Sequence, residues 1–176
     1  MDEAFLLRAA MKGDLDAYNR LVLSYQDEIY SLVYYLHPDD RSIGEMVQRI
    51  FLLAFQKLHI MNGKGFRNWL LHCAILTCRA QWKRREKISR ESLNPPRGEG
   101  LKTDEQWLRV CLASLPPDLR MALALVDMEG LEYPQAAEAL GIPVQKLSQQ
   151  LATARLQISY QMERRGLQGE KCNDEI

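Results

Sequence analysis

Residues 133–158, YPQAAEALGIPVQKLSQQLATARLQI, carry the strongest structural signal in the chain. The first part places small side chains on one helical face, and Gly141 stands where the backbone must turn. Apolar residues beyond the turn, Ile142, Leu147 and Leu151, can seat a second helix. This combination predicts a helix-turn-helix, a unit whose second helix enters the major groove of DNA. An ordinary αα-hairpin that contacts no DNA is the alternative.

The second helix of this unit carries side chains that can read bases. Those at its N-terminal end are Gln145, Lys146, Ser148, Gln149 and Gln150. Gln pairs bidentately with adenine, and Lys reaches guanine or a phosphate. Residues 111–160 hold five acidic and three basic side chains, so we expect the isolated domain to bind DNA weakly.

The rest of the chain is also helical in its periodicity. Apolar residues recur at steps of three and four in residues 14–36 and 43–58, with Asp14 and Ser42 as candidate N-caps. A further helix begins near Phe66 and runs into the basic segment Lys83-Arg84-Arg85-Glu86-Lys87. Later helices are predicted around residues 104–115 and 118–128. Strand-like alternation is absent, which predicts an all-α fold.

A change in composition divides the chain in two. Residues 89–103, SRESLNPPRGEGLKT, contain two prolines and two glycines and have no hydrophobic period, as is typical of a flexible linker. We therefore predict two helical domains, residues 1–88 and residues 104–165, the second being the helix-turn-helix domain. Residues 166–176 are predicted to be a frayed tail.

The charge of the chain is unevenly distributed. The 176 residues include 23 basic and 23 acidic side chains, giving a net charge of zero. Residues 62–90 nevertheless hold one acidic and eight basic side chains, net +7, between flanks of net −3 and net −4. A local stripe of this kind creates a field that can attract phosphates. A solvated helix face is the alternative interpretation.

Several classes of protein are disfavoured by what the sequence lacks. No apolar run approaches the ~20 residues of a membrane span, and the N-terminus has no signal-peptide pattern, so we expect a cytoplasmic protein. The four cysteines form no CxxC, which argues against a disulfide framework or a metal site. His37, His59 and His72 have no acid or nucleophile at a telling spacing, and there is no Gly-rich phosphate loop. We therefore expect no catalysis, cofactor or small-molecule substrate, and we interpret His72 as a surface residue.

Motifs in both halves resemble those of the bacterial extracytoplasmic-function (ECF) sigma factors of RNA polymerase. Residues 42–51, SIGEMVQRIF, are similar to the family's D-A-E-D-L-V-Q-E-V-F, and residues 66–70, FRNWL, are similar to F-R-x-W-L. Residues 115–120, LPPDLR, look like L-P-x-x-x-R, and residues 129–144 follow E-G-x-x-Y-x-E-I-A-x-x-L-G-I-P-x. The shared order and spacing cover nearly the whole chain.

The resemblance implies three contact surfaces and two partners, core RNA polymerase and promoter DNA. Core polymerase would bind the helix that contains residues 42–51, through Glu45, Gln48, Arg49 and Phe51. The minus-ten promoter element would be bound by Arg67, Arg79, Trp82, Lys83, Arg84, Arg85 and Lys87. The minus-thirty-five element would be bound by Gln145, Lys146, Ser148, Gln149, Gln150 and Arg155. An anti-sigma factor, common in this family, is a further candidate partner.

The recognition helix departs from the family at its basic positions. A typical T-V-K-S-R-L-x-R-A-R is replaced by residues 146–155, KLSQQLATAR, in which only Arg155 keeps its basic character and Lys146 is gained. Two alternatives therefore stay open besides a sigma factor. One is a sigma-like module that binds polymerase or a regulator without reading promoters, and the other is an independent helix-turn-helix transcription regulator.

Overall fold

The computed structural model describes residues 2–37, 42–61, 65–88 and 104–171. For residues 85–88, 104–106 and 165–171 only the backbone is described. The predicted linker, residues 89–103, and the end of the tail, residues 172–176, lie outside the described residues. Within the described ranges every regular element is helical, which confirms the all-α prediction.

Four helices form the N-terminal domain. They are α1 (Glu3–Met11), α2 (Leu15–Leu36), α3 (Ile43–Gln56) and α4 (Phe66–Ile88), with a short 3-10 turn at Leu58–Ile60. The Asp14 side chain caps α2 by accepting a hydrogen bond from the Ala17 N–H at 3.0 Å, as predicted. Ser42 occupies the N-cap position of α3 without a side-chain capping bond.

The core of this domain lies between α2, α3 and α4. Each of the three helices presents a stripe of apolar side chains at helical spacing, and burial of these stripes is what holds the helices together. Fully buried members are Leu21, Ile29, Leu32, Leu36, Met46, Ile50, Phe66, Leu70, Leu71 and Ile75. The Tyr18 hydroxyl donates to the Phe51 carbonyl at 2.6 Å, and this buried hydrogen bond joins α2 to α3.

The C-terminal domain also consists of four helices, α5 (Asp104–Ser114), α6 (Pro117–Leu123), α7 (Tyr133–Leu140) and α8 (Val144–Lys171). A π-helical turn, Ala124–Met128, continues α6. Helix α8 extends through the first six residues of the segment predicted to be a frayed tail.

Helices α7 and α8 form the predicted helix-turn-helix. Gly141 adopts the left-handed conformation, φ +68°, which costs glycine little and other residues more. The Gly141 N–H donates to the Ala137 and Glu138 carbonyls at the end of α7. Leu147 and Leu151 are buried and Ile142 packs against the same core, so the three residues expected to seat the second helix do so.

The two domains pack against each other. Helix α4 contacts α7, and α2 contacts α5, α6 and the π-helical turn, so one apolar cluster runs through both domains. The sequence predicted two domains but not this closed arrangement. None of the helices in the described part of the chain has the length and hydropathy to cross a membrane.

Candidate nucleic-acid interface

The predicted polymerase-binding residues lie on α3, but they do not share one face. Glu45, Gln48 and Arg49 are exposed, and Glu45 and Arg49 form an ion pair at 3.3 Å one turn apart. Leu52, which the sequence did not single out, is 56% exposed beside them. Phe51 departs from the other three, since it is only 7% exposed and its side chain packs into the core of the domain.

The predicted minus-ten residues lie along α4 and separate into two groups. Lys83 and Arg84 are exposed near the C-terminal end, and the side chains of Arg85 and Lys87 lie outside the described residues. Arg84 also lines a groove between α3 and α4 together with Arg49 and Lys57. This part of the basic stripe is open to solvent and concentrates positive charge.

The other group, Arg67, Arg79 and Trp82, is half-buried and contacts the C-terminal domain. The Arg67 guanidinium lies 2.7 Å from a Glu28 carboxylate oxygen and donates to the Glu129 carbonyl at 3.1 Å. The Arg79 guanidinium donates to the Leu140 carbonyl at 3.1 Å. These two arginines therefore bridge the domains.

Trp82 belongs to a small aromatic and cationic cluster. Its ring stacks on the His37 ring with centroids 4.6 Å apart, and the Arg120 guanidinium lies 5.8 Å from the Trp82 ring centroid. His37, predicted to be a helix end, is 1% exposed here. Trp82 is thus partly covered by protein in this arrangement.

His72 also corrects the sequence interpretation, because it is half-buried between domains rather than a surface residue. Its Nδ1 lies 3.2 Å from the Ala139 carbonyl, which is the geometry of a hydrogen bond donated by the Nδ1-protonated ring. The ring also stacks near Trp69, whose Nε1 donates to the Ala54 carbonyl.

Burial raises the pKa of the Glu129 carboxyl to about 7, and the nearby Glu28 carboxylate raises it further while Arg67 opposes the shift. Glu129 comes from the C-terminal domain and Glu28 from α2, so packing of the domains brings two acids around one arginine. Protonation of Glu129 relieves both the desolvation and the repulsion.

The predicted minus-thirty-five residues begin α8. Gln145, Lys146, Ser148 and Gln149 are exposed on the helix, whereas Gln150 is half-buried. These four side chains are therefore accessible on the outer face of the first turns of α8. Lys146 is the one basic residue between residues 144 and 154.

The Arg155 side chain forms an ion pair within the C-terminal domain. Its guanidinium forms a two-pronged ion pair with Asp127, with Nε to Oδ2 at 3.0 Å and Nη2 to Oδ1 at 2.5 Å. Hydrogen bonding by Asp127 and Tyr133 raises the pKa of Arg155 further above its already high value. The contact ties α8 to the π-helical turn, a role that the sequence did not reveal.

The described side chains do not assemble a metal-binding site. No group of three or more His, Cys, Asp or Glu residues among them has a metal-binding arrangement. Cys73, Cys78 and Cys111 are buried as reduced thiols, and burial raises the pKa of the Cys73 thiol to about 11.

Family models match both domains. Residues 21–88 match Sigma-70 region 2, and residues 105–158 match Sigma-70, region 4. The ECF RNA polymerase sigma-E factor of Escherichia coli K12 is 29% identical over 178 residues, covering 88% of this chain and 91% of the relative. The ECF RNA polymerase sigma factor SigE of Mycolicibacterium smegmatis is 25% identical over 156 residues, covering 82% of this chain and 61% of that protein.

Solved structures share the fold. CnrH, in complex with the cytosolic domain of CnrY, superposes with a TM-score of 0.72 at 19% identity, covering 91% of this chain and 96% of that chain. The sigma factor RpoE, in complex with the anti-sigma factor NepR from Bartonella quintana, superposes with a TM-score of 0.70 at 18% identity, covering 83% and 96%.

Proposed function

Because the chain belongs to the ECF class of sigma-70 RNA polymerase sigma factors, we propose that its two domains divide the work of promoter recognition along the surfaces described above. The N-terminal domain binds core polymerase and the minus-ten element, and the C-terminal domain binds the minus-thirty-five element. The family matches extend over both domains, so neither an independent helix-turn-helix regulator nor a module that ignores promoters is favoured.

The exposed face of α3 is the proposed contact with core polymerase. Glu45, Gln48 and Arg49 present one acid, one amide and one base on consecutive turns, with exposed Leu52 among them. A mixed polar rim around an apolar side chain is typical of a protein-binding surface. Phe51 supports this surface from the core side and does not itself touch polymerase.

Helix α4 is the proposed minus-ten surface. Opening a duplex requires cations for the phosphates and flat apolar surfaces for unstacked bases. Lys83 and Arg84 provide exposed charge, and Arg85 and Lys87 continue the same basic stretch in sequence. Trp82 is the aromatic surface for a base, and Arg67 and Arg79 join the phosphate contacts once the domains separate.

The proposed minus-thirty-five reader is the start of α8. Gln145, Lys146, Ser148 and Gln149 supply the base-edge contacts, with Gln150 at the margin. We assign Arg155 a positioning role, since its ion pair with Asp127 uses the guanidinium that a phosphate contact would need. Attachment to polymerase compensates for the low charge of this helix by raising its effective concentration at the promoter.

We further propose that the protein acts in the cytoplasm with polymerase, carries out no catalysis of its own and is held inactive by an anti-sigma factor. The solved structure of RpoE is a complex with such a factor, NepR. The match of this chain to that fold supports the proposal.

The observation that carries the function is the match of both domains, in order, to sigma-70 regions 2 and 4. The test is reconstitution with core polymerase of the source bacterium, followed by transcript mapping in cells that overproduce the protein. We expect a stable complex and a defined set of new start sites. A chain that forms no complex with core would refute the function.

Matched variants separate the surfaces in the same assay. Gln48→Ala should weaken the polymerase complex, whereas Lys83→Ala combined with Arg84→Ala should leave that complex intact and reduce promoter opening. Gln157→Ala changes an exposed glutamine outside the three proposed surfaces and should alter neither step. Equal effects of all three changes would contradict the assignment of surfaces.

A further inference from the structure

The first turns of α8 carry two amide side chains on the face turned away from the protein. Leu147, Leu151 and Ala154 are buried and mark the inner face of the helix. At 3.6 residues per turn, Gln145 and Gln149 lie one turn apart on the opposite face, and both are exposed. The centre of the surface that would enter a groove of DNA is therefore neutral and can both donate and accept hydrogen bonds.

Ala152 continues the same face by almost one further turn. It is exposed, and its short side chain leaves room for a close approach to a base edge. Leu156, which follows on this face, is 72% exposed, so the face stays open beyond Ala152. We call Gln145, Gln149 and Ala152 the outer row.

Basic side chains lie beside the outer row rather than within it. Lys146 is exposed on one flank of the row, and Ser148 is exposed on the other. The Arg155 guanidinium is paired with Asp127, with Nε to Oδ2 at 3.0 Å. This ion pair occupies the guanidinium edge that a guanine would need, so the outer row has no forked cation available to it.

The chemistry of the outer row matches one kind of base pair. A glutamine amide offers one donor group and one acceptor, which complement the N7 acceptor and N6 donor of adenine in the major groove. Guanine presents two acceptors there, and Arg or Lys satisfies them best. An alanine side chain packs well against the C5-methyl group of thymine. The outer row therefore complements adenine–thymine pairs.

We propose that Gln145, Gln149 and Ala152 make the recognition helix a direct reader of adenine–thymine pairs at the centre of the minus-thirty-five element. One turn of an α-helix rises about 5.4 Å and neighbouring base pairs are about 3.4 Å apart, so the two amides address adenines one or two steps apart. Lys146 contacts a phosphate or a base at the border of these pairs. The inference rests on the proposed role of α8 at this element.

A reader of this kind depends on few contacts. One good bidentate pair discriminates against the wrong base by roughly 5- to 150-fold. Contacts to separate base pairs contribute almost independently. Loss of one glutamine should therefore relax the choice of base at one position and leave the other position unchanged.

The experiment uses the holoenzyme and a promoter found by transcript mapping, with the minus-thirty-five region randomised and the minus-ten element kept. Bound DNA is separated from free DNA and sequenced. We expect adenine to be enriched over guanine by at least about fivefold at two positions that lie one or two steps apart. Gln149→Ala should abolish the enrichment at one position and Gln145→Ala at the other. Gln157→Ala changes an exposed glutamine of α8 outside the outer row and should reproduce the wild-type pattern.

Two further changes separate direct contact from recognition of DNA shape. Gln149→Arg should move the preference at its position from adenine to guanine, because a guanidinium pairs with guanine O6 and N7. Replacement of adenine by 7-deazaadenine removes the N7 acceptor and should weaken binding by the wild type about fivefold or more. A variant that combines Gln145→Ala with Gln149→Ala should bind both kinds of DNA equally.

The contrary outcomes are distinct. Adenine enrichment that persists in both alanine variants would arise from DNA shape and would overturn the inference. Guanine enriched at the central positions would overturn it too, as would the absence of any preference in a holoenzyme that still initiates at the minus-ten element. A chain that forms no holoenzyme with core polymerase would instead refute the proposed function.

Discussion

Replacement of Arg120 by alanine is the sharpest test of how the closed fold is held. The Arg120 guanidinium donates to three main-chain carbonyls, those of Leu36 at 2.7 Å, Ala113 at 2.6 Å and Leu115 at 2.9 Å. Two of these carbonyls lie in the domain that contains Arg120, and the third lies across the interface at the end of α2. The alanine variant therefore removes one donor group from three acceptors at once.

The expected loss follows from these contacts. A hydrogen bond from a charged donor contributes about 1.5–3 kcal/mol, and a buried acceptor left without a donor is costly. Water can reach part of the vacated space, so we expect Arg120→Ala to lower the free energy of unfolding by about 3–5 kcal/mol. Arg120→Lys keeps the charge but has a single ammonium in place of the planar fork, and we expect it to lose about 2 kcal/mol.

Urea unfolding at neutral pH, followed by circular dichroism and tryptophan fluorescence, measures this loss. Arg8→Ala is the matched control, because Arg8 is an exposed arginine on α1, and it should change stability by less than about 0.5 kcal/mol. A loss below about 1 kcal/mol for Arg120→Ala, or a loss equal to that of the control, would refute the assigned role of the guanidinium.

Three further predictions concern the C-terminal domain. A double-mutant cycle with Asp127→Ala and Arg155→Ala should give a coupling energy of about 0.5–1 kcal/mol in the free energy of unfolding. Arg155→Ala should leave the salt dependence of promoter binding by the holoenzyme unchanged. If the slope of the logarithm of the binding constant against the logarithm of the salt concentration instead fell by about one, Arg155 would contact a phosphate. The pKa of Glu129 is about 7 in the folded protein against an ordinary 4.5, so the folded state keeps a proton that the unfolded state loses. The free energy of unfolding should therefore fall as the pH rises from about 4.5 to about 7. Glu129→Gln should remove that fall and be more stable at pH 8 by about 1 kcal/mol, allowing for solvent screening; parallel urea-unfolding profiles of wild type and variant from pH 5 to 8 would contradict this. Gly141→Ala should cost about 1 kcal/mol because of the positive φ, whereas Gly44→Ala, at an open helical position, should stabilise by about 0.5 kcal/mol; equal shifts in thermal unfolding would argue against backbone strain at Gly141.

The helices and the helix-turn-helix were predictable because their signals are local. Asp14 caps α2, α4 begins at Phe66, and the backbone turns at Gly141 after α7, all as the sequence indicates. Caps, turns and apolar periods depend on residues a few positions apart, so they survive as patterns in one sequence. The π-helical turn at Ala124–Met128 has no such signal and was not predicted.

The hydrogen bonds between the domains could not be predicted, because their acceptors belong to the backbone. The acceptors of Arg67, His72 and Arg79 are main-chain carbonyls 61 to 67 residues away, and no residue type marks them. The basic residues were found as a group, but their division into exposed and bridging members depends on packing. Phe51 is a different case, since the apolar stripe of α3 indicated its burial, whereas the family pattern grouped it with the exposed residues predicted to contact polymerase.

The carbonyls at the end of α7 have a consequence for how this chain can evolve. A main-chain carbonyl is chemically the same whichever residue bears it, so substitutions in α7 leave the acceptors in place as long as the helix forms. Mutations can therefore alter this contact only through the donor side chains, those of Arg79 and His72. Arg79 is also one of the residues proposed to bind DNA. A mutation of Arg79 that removes this contact between the domains would therefore also remove a proposed DNA contact, because both depend on one side chain.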